Sequence, residues 1–250
     1  MSTNCYMDAD LARIVVDQTK FRELVGFLLY LTTSRPDIMF AVFLCARFQS
    51  NSKESHFKAV KRFLKYLKGT TSVGLWYPSH SSINLVRYSD FDFAECKLDR
   101  NSTSDTCHLL GAIISWHSKK QACVALSTTE AEYIAAGSCW VQILWIKQQL
   151  ENFRLMVNKV PLLCDNTSAI NLTKNQIKYS RTKHIEIRHH FIRDHVSNED
   201  CEIQFIEIDK QLAYIFTKPL PRERFFFLRN ELGILDSLFC LCCANLCVSF

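Results

Sequence analysis

Apolar residues in the early part of the chain occur in three runs of helical length, between residues 20 and 68. The second run begins with Pro36, which suits a first helical turn, and the third ends at Gly69. A stretch rich in Gly, Ser, Thr and Pro follows, typical of a connection. We therefore predict a small helical unit and a domain boundary near residue 80.

Beyond residue 80 the pattern predicts strands and helices in alternation. A strand is predicted over 83–94, and two apolar, β-branched runs at 108–116 and 121–127 predict two adjacent antiparallel strands. Then we predict, in order, a long helix, a short buried strand, two helices, a strand and a closing helix: 128–153, 160–165, 167–174, 182–196, 201–208 and 210–217. This order predicts an α/β fold, a mixed five-stranded sheet with helices on both faces.

The length and composition are compatible with this organisation. Of 250 residues, 48% are hydrophobic, which is enough for a substantial core. We predict four segments: an N-terminal extension at 1–19, the helical unit at 20–79, the α/β domain at 80–220, and a C-terminal helix with a cysteine-rich tail at 221–250.

The cysteines and the apolar runs bear on the cellular compartment. Twelve cysteines would suggest disulfides in a secreted chain, but the opening MSTNCYMDAD has no apolar run typical of a signal peptide. No run of 18 apolar residues is present. We therefore expect an intracellular protein, in the cytoplasm or nucleus, with reduced thiols and no contact with a membrane.

The third predicted helix has one basic face. Lys58, Lys61, Arg62 and Lys65 recur at three- and four-residue intervals, and Glu54 is the one acidic residue close to them. Such a face is compatible with simple solvation or with contact to a polyanion such as nucleic acid, and the sequence leaves both open.

Two glutamates at the start of the long helix are predicted to differ in role. Ser127 and Glu130 have the spacing of a capping box, in which the serine caps the helix and the glutamate reaches back to the serine N–H. Glu132 heads a face that is otherwise apolar and suited to packing against the sheet. A carboxylate buried there requires a partner.

Two aspartates are predicted to meet Glu132 at the sheet. Asp90 lies in the first predicted strand, and Asp165 follows the short buried strand, at the end where sites form in α/β sheets. Three converging carboxylates would repel one another unless they held a divalent cation, and Mg²⁺ suits such oxygen ligands. The alternative is that these acids are unrelated surface residues.

Five segments, in this order, resemble the ribonuclease H domain of copia-type retrotransposon Pol polyproteins: YSDFDFA, GAIISWHSKKQACVALSTTEAEYIAA, LLCDNTSAINL, RTKHIEIRHHFIR and QLAYIFTKPLPRERF. The upstream VDQTKFRELVGFLLYLTTSRPDIMFAV and HFKAVKRFLKYLKGTT resemble the end of the preceding reverse transcriptase. The resemblance covers about residues 16–235. It implies a ribonuclease H fold that hydrolyses the RNA strand of an RNA/DNA hybrid with two Mg²⁺ or Mn²⁺ ions.

The resemblance also assigns residues. It implies that Asp90, Glu132 and Asp165 are catalytic metal ligands, with Asp92 as a second choice for Asp90. A second basic cluster is implied to bind the hybrid, together with the basic face of the third helix: Lys174, Lys178, Arg181, Lys183, His184 and Arg188. The implied partners are the hybrid and the remainder of a reverse transcriptase.

The sequence departs from the family pattern at the fourth acid. Where the family reads Ala-Asp-Ile-Phe-Thr-Lys-Pro-Leu, this chain has Tyr214, a neutral phenol that is a poor ligand for Mg²⁺. Glu207 and Asp209 lie just upstream and are candidates to substitute for the missing fourth acid. In addition, Asp105 stands where the family has a glycine, and we expect backbone strain there if φ is positive. Three alternatives follow: a weakened nuclease, a nucleic-acid-binding module without turnover, or a retroelement-derived fragment without a selected role.

Overall fold

The structure is a computed structural model that describes residues 7–237 except 9, 11, 80–83, 94–99, 158, 175–190 and 199. The chain divides into two units, residues 1–77 with 218–250, and residues 78–217. Among the described residues, no helix combines the length and the apolar character that crossing a bilayer requires.

Three helices form the core of the first unit, as the sequence predicts. They are α1, Gln18–Leu31; α2, Met39–Ala46, which follows a 3₁₀ turn at Pro36–Ile38; and α3, Glu54–Lys68. The Asp17 carboxylate caps α1 by accepting hydrogen bonds from the N–H groups of Thr19 and Lys20. The apolar faces of the helices meet in a buried cluster that includes Phe21 and Val60.

A short antiparallel ribbon completes the first unit. Strand β1, Val73–Leu75, pairs with β7, Ile234–Asp236, and helix α8, Arg222–Glu231, lies just before β7. Gly233 forms the turn between α8 and β7 with a φ of +70°, a conformation that glycine adopts without strain. The prediction of a mere connection after residue 69 is therefore wrong, because strands of three residues are too short to show alternation.

The second unit contains the mixed five-stranded sheet that the sequence predicts. Its elements follow in chain order: β2, Leu85–Asp92; β3, Thr103–Leu110; β4, Ile113–Lys120; α4, Thr128–Asn152; β5, Val160–Cys164; α5, Thr167–Lys174; α6, Phe191–Ser197; β6, Cys201–Phe205; and α7, Tyr214–Thr217. The strand order is β4-β3-β2-β5-β6. β2, β3 and β4 pair antiparallel, whereas β5 is parallel to both β2 and β6.

Helices cover both faces of this sheet, as predicted. On one face, the Arg87 guanidinium of β2 lies 5.6 Å from the ring centre of Trp140 in α4. On the other face, Asp90 of β2 accepts a hydrogen bond from Thr217 of α7. Arg87 and Asp90 are three positions apart, and residues an odd number of positions apart in a strand point to opposite faces of the sheet.

The hairpin between β3 and β4 differs from the prediction. The turn falls at residues 111–112, so β3 includes the polar segment TSDTCH and β4 includes HSKK. Residues 121–127, predicted as a strand, contain none. The prediction is wrong because β3 buries polar side chains such as Ser104 and His108. The sequence of β3 therefore lacks the apolar residues that would indicate a buried strand, although β3 pairs with β4 along its length.

Candidate metal centre

Three carboxylates from separate elements meet at one end of the sheet. One oxygen each of Asp90, Glu132 and Asp165 lies within 4.8 Å of the other two. Asp90 is 2% exposed and Glu132 is 0% exposed, while Asp165 is partly exposed. The cluster is thus largely withdrawn from water but open on the side of Asp165.

Strand register explains the meeting of the two aspartates. In the parallel pair of β2 and β5, Tyr88 lies opposite Leu163. Asp90 and Asp165 each lie two residues beyond this pair, so they project from neighbouring strands at the same level. Glu132 comes from the first turns of α4, at the head of the buried face that the helical spacing predicts.

Glu130 has the structural role that the sequence predicts, with one difference. The Ser127 hydroxyl accepts a hydrogen bond from the N–H of Glu130 at 3.2 Å and caps α4. The Glu130 carboxylate accepts from the N–H of Leu126 at 2.8 Å, one residue earlier than a capping box requires. Glu130 therefore secures the start of the helix, while Glu132 enters the cluster.

Asp92 has a different contact from Asp90. Its Oδ1 accepts a hydrogen bond from the N–H of Thr103 at 3.1 Å, where β3 begins opposite the end of β2. The carboxylate cluster contains Asp90 and not Asp92 among the described residues.

Tyr214 reaches into the cluster. Its hydroxyl donates a hydrogen bond to Oδ2 of Asp165 at 2.7 Å. Burial raises the pKa of the phenol well above its usual value, and the hydrogen bond to Asp165 and the charges of the three carboxylates raise it further. Tyr214 is therefore a neutral hydrogen-bond donor at a position where the family pattern has an acid.

Two further residues, which no sequence motif indicates, contact the cluster. The buried Thr217 hydroxyl donates to Oδ2 of Asp90 at 2.6 Å. The Cys164 thiol, next to Asp165, donates to Oε1 of Glu132 at 3.3 Å, and burial followed by the Glu132 charge raises the pKa of this thiol. In sequence, Cys164 directly precedes Asp165, and Thr217 lies three residues after Tyr214.

Asp105 lies directly beside the cluster. It is 0% exposed and is the cross-strand partner of Asp90 in the antiparallel pair of β2 and β3. The condition for strain, a positive φ, is not met, because Asp105 lies within an extended strand and is not among the described residues with positive φ. The family glycine is therefore replaced by a buried carboxylate without a left-handed backbone.

The proposed substitutes for the fourth acid lie at the surface. Glu207 and Asp209 are both exposed, in and beside a 3₁₀ turn at Ile208–Lys210. Glu207 forms an ion pair of 2.9 Å with Lys210.

The closing helix, predicted over 210–217, is shorter than predicted, since α7 spans only Tyr214–Thr217.

The predicted nucleic-acid-binding residues are partly described. The α3 side chains Lys58, Lys61, Arg62 and Lys65 are all exposed. Lys58 pairs with Glu54 at 2.8 Å, and the Lys61 ammonium lies 4.6 Å from the Phe57 ring centre. In the second cluster Lys174 is exposed at the end of α5, and the other members lie outside the described residues: Lys178, Arg181, Lys183, His184 and Arg188.

The chemistry of the three-carboxylate cluster fits a divalent cation. Carboxylates this close repel one another unless a cation or protons lie among them. An all-oxygen ligand set suits hard cations such as Mg²⁺ and Mn²⁺ better than metals that prefer thiolate or imidazole. Asp90, Glu132 and Asp165 could therefore hold such an ion, with Thr217 and Tyr214 orienting two of the carboxylates.

The chain is similar to parts of much longer proteins. The "Retrovirus-related Pol polyprotein from transposon TNT 1-94" of Nicotiana tabacum is 40% identical over 212 residues, 84% of this chain and 16% of that protein. The corresponding polyprotein from transposon RE1 of Arabidopsis thaliana is 37% identical over 222 residues, 88% of this chain and 15% of that protein. This chain thus spans about one sixth of these relatives.

The fold has a distant counterpart among solved structures. The solved N-terminal ribonuclease H domain of Rv2228c from Mycobacterium tuberculosis, fused to maltose binding protein, matches 60% of this chain and 99% of that chain, with 8% identity and a TM-score of 0.36. This similarity is too low to assign a function. No protein-family model matches the chain.

Proposed function

Since the chain belongs to the family of copia-type retrotransposon Pol polyproteins, we propose that its second unit is a ribonuclease H-type domain acting on RNA/DNA hybrids. Its substrate in this proposal is the RNA strand, and its cofactor is Mg²⁺ or Mn²⁺. The observation that supports it most is the convergence of Asp90, Glu132 and Asp165 within 4.8 Å. The helical segment at residues 20–79 is proposed to be the end of a reverse transcriptase, whose remainder is the expected partner.

The chain's own residues supply a ligand set and its orientation. Asp90, Glu132 and Asp165 would bind the cations, and the Thr217 hydroxyl holds one oxygen of Asp90 in place. When bound, a pair of divalent cations activates the attacking water and stabilises the leaving oxygen of the phosphodiester. Burial of Asp90 and Glu132 excludes bulk water from the inner side of the cluster, which strengthens their attraction for a cation.

We propose that Tyr214 weakens this centre. Its phenol takes the place of the fourth carboxylate and donates a hydrogen bond to Asp165, so it both removes a negative ligand and occupies an oxygen of another. The raised pKa of Tyr214 keeps the phenol neutral at physiological pH. We therefore expect one cation to bind more tightly than the second, and slow hydrolysis.

The proposed hybrid contacts are basic and exposed. In the second unit, the Lys174 side chain is exposed. In the first unit, the basic side chains of α3 are exposed as well. Exposed positive charges of this kind are suited to contact phosphate groups. Lys178, Arg181, Lys183, His184 and Arg188 remain part of this proposal on sequence grounds.

Incubation of the full chain with a labelled RNA/DNA hybrid and Mg²⁺ or Mn²⁺ tests the function. We expect slow cleavage of the RNA strand that Glu132→Gln and Asp165→Asn abolish. Glu130→Gln is the matched control, because Glu130 lies on the same helix and accepts a hydrogen bond from Leu126, and it is not one of the three clustered carboxylates. Cleavage that survives Glu132→Gln would contradict the proposal.

A second candidate function is hybrid binding without turnover. The hydrogen bond between Tyr214 and Asp165 favours it, because this bond blocks a ligand position. Binding of the hybrid by the wild-type chain, without cleavage in either metal, would support this alternative. Gain of cleavage on Tyr214→Asp would then locate the defect at position 214.

A further inference from the structure

The Cys164 thiol contacts the Glu132 carboxylate. Its sulfur lies 3.3 Å from Oε1 of Glu132, within the range of an S–H···O hydrogen bond. Cys164 is 1% exposed and Glu132 is 0% exposed, so water does not compete for this contact. The two residues are 32 positions apart, on β5 and α4, and only the packed fold brings them together.

The thiol is itself held in position by the turn after β5. The N–H of Asn166 approaches the Cys164 sulfur at 3.4 Å, and the sulfur lies 3.7 Å from the Asn166 carbonyl. Asp165 lies between these two residues in the chain. The Cys164 sulfur therefore contacts both the turn that contains Asp165 and the Glu132 carboxylate of α4. Two of the three clustered carboxylates are thus positioned next to the same side chain.

We infer that Cys164 is a positioning residue, which orients the Glu132 carboxylate for a divalent cation through the thiol hydrogen bond. This inference rests on the proposed metal centre. A glutamate has three side-chain torsions, and a donor on one oxygen restricts the orientation of the carboxylate plane. Groups that contact metal ligands in this way commonly change metal affinity by about 10- to 100-fold when they are removed.

Mn²⁺ binding to the full chain, measured by calorimetry, tests the inference without recourse to activity. Cys164→Ala removes the donor and is expected to weaken Mn²⁺ binding about tenfold. Cys164→Ser keeps a donor and is expected to recover part of the affinity. Cys201→Ala is the matched control, because Cys201 is also buried, 4% exposed, but pairs with Val160 at the far end of β5.

The outcomes separate the inference from the proposed function. Wild-type Mn²⁺ binding that Glu132→Gln weakens but Cys164→Ala leaves unchanged would overturn the positioning role and leave the metal centre standing. Equal losses in Cys164→Ala, Cys164→Ser and Cys201→Ala would show a packing effect and also overturn it. Absence of Mn²⁺ binding by the wild-type chain would contradict the metal centre, and the inference with it. Thermal unfolding without metal checks that each variant is folded.

Discussion

The Tyr214 hydroxyl donates a hydrogen bond of 2.7 Å to Oδ2 of Asp165, one of three clustered carboxylates. A neutral donor thereby stands where the family pattern has an aspartate. This contact is the basis of our proposal that the site keeps its geometry but binds cations less well.

Replacement of Tyr214 should strengthen the metal centre. Tyr214→Asp adds a carboxylate and releases Asp165, so we expect Mn²⁺ affinity to rise by at least about tenfold and hybrid cleavage to increase. Tyr214→Phe releases Asp165 without adding a ligand and should give a smaller gain in affinity and little cleavage. Calorimetry and the cleavage assay measure both effects. Weaker Mn²⁺ binding by Tyr214→Asp would mean that position 214 is not beside the cation.

Thr217 should matter for the metal centre through Asp90. Thr217→Val keeps the shape of the side chain but removes the 2.6 Å hydrogen bond to Asp90, and we expect a loss of about tenfold in Mn²⁺ affinity. Thr173→Val is the matched control, since the buried Thr173 hydroxyl donates to the Ile170 carbonyl within α5. If the two valine variants bind Mn²⁺ equally well, Thr217 has no part in orienting Asp90.

The sequence predicts part of this site and misses the rest for physical reasons. Helical spacing is a local property, so it places Glu132 on the buried face of α4 correctly. The contacts of Thr217 with Asp90 and of Cys164 with Glu132 join residues 127 and 32 positions apart, and no local pattern encodes them. The hairpin is mispredicted because buried polar residues in β3 hide its alternation.

Buried His108 should make the second unit sensitive to acid. Burial lowers the pKa of His108 to about 4, although its hydrogen bond to Gln142 opposes this shift. The unfolded chain binds a proton near pH 6.5, so folding stability falls as the pH decreases from about 6.5 to about 4. Below that range this residue causes no further change in stability. His108→Gln should remove this part of the pH dependence in urea unfolding. Parallel pH profiles for the two proteins would contradict the assignment.

Arg87 should destabilise the second unit. It is 0% exposed, and among the described residues no hydrogen-bond partner reaches its three guanidinium nitrogens. Burial also lowers its pKa to about 10. We expect Arg87→Met to raise the free energy of unfolding by about 1–3 kcal/mol, because an unsatisfied buried donor is removed. Lys119→Met, at an exposed position of β4, should change it by no more than about 0.5 kcal/mol. A loss of stability in Arg87→Met would show that the guanidinium is satisfied.

Anomalous diffraction from crystals of the full chain grown with Mn²⁺ tests the central claim most directly. We expect a manganese peak coordinated directly by Asp90, Glu132 and Asp165, and its disappearance in Glu132→Gln. Manganese bound elsewhere, with these three carboxylates turned away from one another, would contradict the account.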